Sequence, residues 1–524
     1  MKNLLSVFAL FFIAASLSAQ PVIEWQKMLG GSNDEGFFGN DQLASSQQTS
    51  DGGFILAGYT KSNNGDVSGN HGNMDAWVVK IDSAGNLDWQ RTYGGSNYDA
   101  AHCIHQTDDG GYIVGCISAS NDGDVSGGHG LGDFWIVKIN ESGDMQWQKS
   151  LGGSSNEDLN AISQTSDGGY IAIGTTSSQN GDVSGFDNTI NIWVVKLDET
   201  GAIEWEKVLG GSAQDTGMDI KQTNEGGYIL TSFVASNNNF VSGNHGSFDY
   251  WIVKLSVSGE IEWRKAYGGT QFDVATCIQT TTDGGYIVAG GAQSTNGNVT
   301  GNHGASDYWI VKLNAFGVIE WQKAFGGSNY ETAFAIQQTK DGGYIVGGWS
   351  NSTDGDVLEN HGNNDYWILK INNLGELQWQ KSLGGSKDDY ADDITQTADG
   401  GYLVSGISKS NDGDVSGNHA ANTFDYWVVK LGPEQVDVND LPSNPIGYLE
   451  IFPNPANSTV SISILAEEIS LEVSITDAQG RRISHQTIPN GGNLDTSNLV
   501  NGIYSILATT PSGLIFSNKL SVIH

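Results

Sequence analysis

Three observations predict an all-β chain, a seven-bladed β-propeller of 58-residue, four-stranded repeats followed by a small C-terminal β-sandwich. One tryptophan series runs Trp25, Trp89, Trp147, Trp205, Trp263, Trp321, Trp379, and a second runs Trp77, Trp135, Trp193, Trp251, Trp309, Trp367, Trp427. The acid ahead of a Gly-Gly pair recurs at Asp51, Asp109, Asp167, Glu225, Asp283, Asp341 and Asp399, always 58 residues apart. Within each period lie four short, alternating, β-prone segments separated by turn residues. A supersecondary unit repeated seven times at this length buries its apolar faces only against its neighbours, the arrangement of a propeller. Trp349 alone among the fifteen tryptophans stands outside both series.

The second repeat serves for all. Asp99 to Thr107 reads as a strand, and Gly111 to Ser118 returns it across a two-residue Asp109-Gly110 hairpin turn. A long loop, Ala119 to Gly132, leads to the strand Asp133 to Asn140, which Glu141-Ser142-Gly143 turns back into Asp144 to Ser150. The mature chain begins with the Trp25 strand, the last of the four, and the seventh repeat stops at Leu431 without one. The N-terminal strand is therefore expected to complete the last blade and remove its open edge.

The two ends of the chain read differently. Met1 and Lys2, an apolar run from Leu4 to Leu17 and then Ser18-Ala19-Gln20 form a signal peptide over 1–19. That run is short for a membrane span, no cysteine follows it to make a lipoprotein, and no later stretch is apolar enough to cross. The propeller is assigned to 20–432 and a proline-bearing acidic linker to 433–447, where the period ends. Residues 448–524 carry alternating strands with turn punctuation, an immunoglobulin-like sandwich.

Glycine is abundant at 71 residues and proline scarce at 8, while aromatics make up 10% of the chain, which fits short strands on tight turns and excludes disorder. The net charge of -36 repels phosphate backbones, so nucleic acid is excluded as a partner. Three cysteines are too few for a disulfide framework. A two-residue turn at Asp109-Gly110 would nevertheless set Cys103 opposite Cys116, where a cross-strand disulfide is geometrically allowed.

The segments Asp307-Tyr-Trp-Ile-Val-Lys-Leu-Asn-Ala-Phe-Gly317, Gly326-Gly-Ser and Lys340-Asp-Gly-Gly-Tyr-Ile-Val-Gly347 resemble the SBBP-type β-propeller repeat of bacterial secreted proteins, over roughly 21–432. Ile451-Phe-Pro-Asn-Pro455, Val473-Ser-Ile-Thr-Asp-Ala-Gln-Gly-Arg481, Leu499-Val-Asn-Gly-Ile-Tyr504 and Asn518-Lys-Leu-Ser-Val-Ile523 resemble the type A sorting domain of type IX secretion substrates. The second resemblance implies passage through the periplasm and across the outer membrane by the type IX machinery, then release or attachment at the cell surface. The first implies a scaffold and leaves the activity open.

The long loops carry the candidate chemistry. Asp66, Asp124, Asp182, Asp356 and Asp414, with neighbouring oxygens such as Asp122, Ser126 and Asp133, form candidate calcium loops, since calcium takes six to eight hard oxygens. The competing reading is turn chemistry, in which Asp, Asn and Ser bind their own backbone. It is favoured by Phe240 and Asn298 at the same position, and by the lack of a full Asp-x-Asp-x-Asp-Gly…Glu pattern. Histidines recur at His71, His129, His245, His303, His361 and His419, with Phe186 in the third repeat. Equivalent atoms in adjacent blades lie more than ~10 Å apart, against the ~4 Å between two nitrogens on one ion, so these histidines are read as loop supports. The Thr-x-Asp-Gly-Gly-Tyr turns resemble the Asp-box of sialidases, but the propeller has only Arg91 and Arg264 and lacks an arginine cluster. Calcium is the one cofactor the long loops suggest.

The functional expectation is a secreted or surface-displayed binding or scaffold module, its ligand face formed by the seven long loops and its ligand a protein or glycan. A secreted hydrolase acting on polysaccharide and a structural surface-layer component are the alternatives. An enzyme should show repeat-breaking residues clustered on one face. The breaks at Asn238-Asn-Phe240, at Trp349 and at the insertion Ala421 to Thr423 are expected to lie scattered round the ring. Of the tryptophans, only Trp349 is read as a candidate sugar platform, and the two series as core.

Overall fold

The computed structural model describes residues 20–36, 45–184, 189–434, 449–464, 470–477, 481–510 and 515–524. The expected signal peptide, residues 435–447 of the expected linker and Phe186 lie outside the described residues. The chain divides into two units, one over Ile23–Gly432 and one built on Pro433–His524.

Among the described residues, the strands of the larger unit form seven antiparallel sheets. In the second, Asp99–Gln106, Tyr112–Ser118, Asp133–Ile139 and Met145–Leu151 pair in chain order. In the seventh, Asp389–Gln396, Tyr402–Ser408 and Asp425–Leu431 receive Ile23–Leu29 as the fourth, outermost strand. The link between blades is thus the Gly-Gly segment that joins an outermost strand to the next innermost one. The seventh sheet packs on the first, with the rings of Tyr426 and Trp77 4.8 Å apart and the Ala398 N–H donating to Gln48 Oε1 at 2.9 Å.

The acid that sets the 58-residue period organises a turn and anchors a buried cation. Asp109 Oδ1 accepts the Thr107 hydroxyl at 2.5 Å and the Gly111 amide at 3.0 Å, while Oδ2 lies 2.9 Å from Nζ of the buried Lys138. Lys80, Lys196, Lys312, Lys370 and Lys430 make the same pair with the acid of their own blade. Gly110 has φ +83° and donates its N–H to the Thr107 carbonyl. The turn therefore holds one residue more than the expected Asp-Gly pair, with glycine in the left-handed position.

The two tryptophan series divide the packing between them. The second series, from Trp77 to Trp427, is fully buried. Trp135 donates its indole N–H to Gln148 Oε1 on the outermost strand at 2.9 Å. Trp77, Trp193, Trp309, Trp367 and Trp427 do the same with Gln90, Glu206, Gln322, Gln380 and Gln26. The Trp427–Gln26 bond fastens the N-terminal strand to the last blade. The first series lies on the outermost strands and sets each indole against the next blade's aromatic, as in Trp89 on Tyr112 at 6.2 Å and Trp25 on Phe54 at 6.0 Å.

In the smaller unit, Leu449–Phe452, Thr459–Ile464 and Gly492–Asp495 form one sheet. Arg482–Pro489, Ser470–Thr476, Gly502–Thr509 and Ile515–Val522 form the other. Val460, Ile462, Leu471, Val473, Ile475, Ile506 and Leu520 are buried in one core, which explains the period-two alternation of their strands.

Trp251 is the exception in its series. Arg264 occupies the acceptor position, and the buried indole N–H of Trp251 finds no partner among the described residues. An unsatisfied buried donor costs ~1–3 kcal/mol, whereas the contact of Arg264 with the Phe240 ring, at 6.0 Å, contributes ~0.5–1 kcal/mol. Arg264→Gln is therefore expected to stabilise the propeller by about 1 kcal/mol, seen as a higher urea midpoint. A lower midpoint would show that the arginine contact outweighs the missing bond.

Candidate functional site

The structure engages the candidate calcium ligands as amide acceptors. Asp124 Oδ2 receives the Gly94 N–H at 3.2 Å, and the Asp124 N–H returns a bond to the Gly94 carbonyl at 2.9 Å. Asp66, Asp182, Asp356 and Asp414 hold Gly30, Gly152, Gly326 and Gly384 in the same way. Asn298 replaces the aspartate on Gly268 with the same bond, while at Phe240 only the backbone half remains. Among the described residues, no group of three or more His, Cys, Asp or Glu is arranged to hold a metal ion.

The recurring histidines bind a carboxylate rather than loop backbone. His71, His245, His303, His361 and His419 place Nδ1 2.6–2.7 Å from Oδ2 of Asp75, Asp249, Asp307, Asp365 and Asp425. The same oxygen accepts the histidine's own N–H. His129 sits further off, 3.6 Å from Asp133.

Behind each of these aspartates lies a second buried acid, at the start of the next blade. Asp425 and Glu35 meet over Gly30, where a Cβ would lie 2.6 Å from Asp425 Oδ1 and 2.7 Å from Glu35 Oε2. Asp75 and Asp99 meet over Gly94, and Asp307 and Glu331 over Gly326. Oδ1 of Asp75, Asp133, Asp249, Asp307, Asp365 and Asp425 finds no hydrogen-bond donor among the described residues. Burial lifts the carboxyls of several junctions above their ordinary values, as at Asp75 and Asp99 or Asp307 and Glu331. Asn191, a neutral side chain of the same shape, stands in this row at the third junction. Burial first, and then the neighbouring Asp425, raises Glu35 to about 7, and burial raises Asp389 to about 6.

Both native values exceed the ordinary 4.5 and 3.8. The native state therefore binds more protons, and the stability these acids contribute is complete below the ordinary values and lost as pH rises through about 6 to 7. Thermal unfolding followed across that window should show the melting temperature falling with rising pH. Glu35→Gln should remove one proton from the linkage. A melting temperature that climbs with pH would contradict the raised values of Glu35 and Asp389.

Cys103 and Cys116 do not face each other. The longer turn shifts the register by one, so Cys103 lies opposite Gly115, and a β-bulge at His102 then sets Cys116 opposite Ala101. Both thiols are buried and free. Burial pushes Cys103 up to about 12.

The bulge recurs in the innermost strands at Asn160, Met218, Thr276, Phe334 and Asp392. It turns side chains of unlike chemistry towards the centre of the propeller. Residues from all seven innermost strands line one central chamber of about 420 Å³, among them Ser46, His102, Asn160, Lys221, Thr276, Phe334 and Asp392. Lys221 is held by Asp219 at 2.7 Å. Burial opposes its charge, but Asp219 leaves it above the ordinary lysine value. A second chamber of about 570 Å³ opens at the long-loop ends of the strands and shares Thr276, Phe334 and Asp392 with the first.

The upper chamber collects residues that break the repeat. Trp349, half-buried, stands edge-on to Tyr390 at 5.6 Å, and Tyr390 lies 6.0 Å from Phe424. Lys409 Nζ rests 4.1 Å over the Phe424 ring. Phe424 directly follows the insertion Ala421 to Thr423, so two of the breaks expected to be scattered converge on one cavity. Asn238 and Phe240 line neither chamber. Sequence reasoning missed Tyr330, Phe272, Tyr390 and Asp392. The signal for Asp392 was the variation of the bulge row, His102, Asn160, Met218, Thr276, Phe334, Asp392, inside an otherwise uniform repeat.

Residues 450–522 match the family described as the secretion system C-terminal sorting domain. The tail is a type IX sorting domain. The sorting domain marks the protein for export by the type IX machinery to the outer surface or the medium. Among the described residues no helix is long and apolar enough to cross a membrane. A comparison with curated protein sequences gives no match. Among solved structures, the Neurospora crassa Pan2 WD40 domain is 12% identical with a TM-score of 0.43, covering 78% of this chain and 96% of that one. Puromycin hydrolase is 10% identical with a TM-score of 0.41, covering 92% and 62%. The extracellular domain of a putative hybrid two component system of B. thetaiotaomicron is 10% identical with a TM-score of 0.37; it aligns with 95% of this chain, which spans 57% of it.

Proposed function

We propose that the protein is an exported binding module that takes a glycan in the upper chamber of its propeller. The observation that carries this reading is the cluster of Trp349, Tyr390 and Phe424 at one cavity, beside Thr332, Gln293 and Asp392. Aromatic faces cover the C–H faces of sugar rings, and hydroxyl, amide and carboxyl groups serve their hydroxyls. The volume lies within the range of small-ligand pockets, ~300–1,000 Å³. The chamber opens on the side from which the long loops spring, the face expected to carry the ligand. The two periodic tryptophan series are used up in packing and leave Trp349 uncommitted.

The test is thermal unfolding of the mature chain with oligosaccharides of cellulose, xylan, mannan and chitin. A sugar at ~100 times its dissociation constant adds about 2.7 kcal/mol to stability. Trp349→Ala should weaken binding about ten-fold, the loss of a single aromatic contact of ~1.4 kcal/mol. Unchanged affinity in that variant, or no response to any of the sugars, would overturn the proposal.

A further inference from the structure

We propose that Asp392 is the group that reads the ligand in the upper chamber, offering its carboxyl to a sugar hydroxyl as both donor and acceptor; this rests on the glycan reading above. Asp392 is the bulged residue of the seventh blade's innermost strand, between Ala391 and Asp393. It is 1% exposed and borders both chambers. Neither carboxyl oxygen has a hydrogen-bond partner among the described residues. A buried acid left without partners destabilises the fold. Nothing in the blade's packing repays that cost, and the other blades fill the same position with His102, Asn160, Met218, Thr276 and Phe334. By contrast, the carboxyls of the neighbouring row are satisfied. Asp393 receives the Ser46 N–H at 2.8 Å and its hydroxyl at 3.2 Å, and Asp219 receives Lys221 and the Ile278 N–H. Asp392 is thus an unspent polar group in the wall of an aromatic cavity.

The charged groups around it act together. Asp393 is adjacent, and Lys221 with Asp219, His102, His105 and the thiols of Cys103 and Cys277 face the lower chamber. Lys409 faces the upper one and pairs with Asp388 at 3.7 Å. Burial, then the charge of Asp393, raises Asp392 well above the ordinary aspartate value. The neutral acid can donate to a hydroxyl without bringing a charge into the cavity. Affinity should accordingly be level on the acid side and fall as pH rises and the proton is lost.

The experiment uses the mature chain and the same four oligosaccharide series, with affinity and melting temperature read for wild type, Trp349→Ala, Asp392→Asn and Asp392→Ala. Asp392→Ala is expected to bind roughly ten-fold more weakly, as for one lost buried hydrogen bond. Asp392→Asn keeps a donor and an acceptor, should hold most of the affinity, and should lose the fall at high pH. Both variants should melt no lower than wild type, because the acid serves the ligand and not the fold. If wild type binds and Trp349→Ala weakens it while Asp392→Ala does not, the role of Asp392 is overturned and the glycan reading stands. A lowered melting temperature in Asp392→Asn would make the residue structural and also overturn the role. If wild type binds none of the sugars, both readings fall.

Discussion

The buried pair over each inter-blade glycine, two carboxyls at six junctions and Asn191 with Asp215 at the third, is the constraint on which the rest of the propeller depends. One acid belongs to the strand that carries the fully buried tryptophan, the other to the first strand of the next blade. Their oxygens fill the space that a side chain on the first link glycine would need, so the Gly-Gly link is a packing requirement more than a flexible joint. The long loops hang from the same place. The loop histidine and its amide bind the first acid, and the loop aspartate or asparagine binds the glycine. Loop geometry and the link between blades are therefore held by one repeated cluster.

Much of this was legible in the sequence because repetition averages out local ambiguity. The strand bounds of the second repeat, Asp99–Gln106 through Met145–Leu151, agree with the alternation to within a residue or two. The N-terminal strand takes its place in the last blade because that repeat lacks an outermost strand. The register of Cys103 and Cys116 was not legible. A turn that admits glycine in the left-handed conformation and a bulge at His102 each shift the pairing by one, and neither leaves a mark in a period-two pattern.

The central chambers were illegible for a different reason. Trp349 and Tyr390 lie in strands of two adjacent blades, Phe424 in the loop ahead of a third strand, and Tyr59 and Phe272, from other blades, line the same cavity. Only the ring brings them together. A search for agreement between repeats reads the scaffold and discards what differs, and at the axis what differs is the chemistry. Trp349 attracted suspicion because its residue type was conspicuous. Asp392 did not, because acids are everywhere in a chain of net charge -36.

The strand Ile23–Leu29 has a consequence for how the propeller comes into being. Its partner is Asp425–Leu431, and the bond from Trp427 to Gln26 spans 401 positions of the chain. Inner blades can form from contacts within about one repeat, but this one must wait for the last segment of the ring to emerge. Loop-closure entropy grows only slowly with length, so the final pairing is delayed more by order of synthesis than by thermodynamics. Until it forms, the seventh blade presents the bare edge of its tryptophan strand to any other chain nearby. The first strand of the ring to be made is then the last to be placed, and its absence is what leaves that edge open.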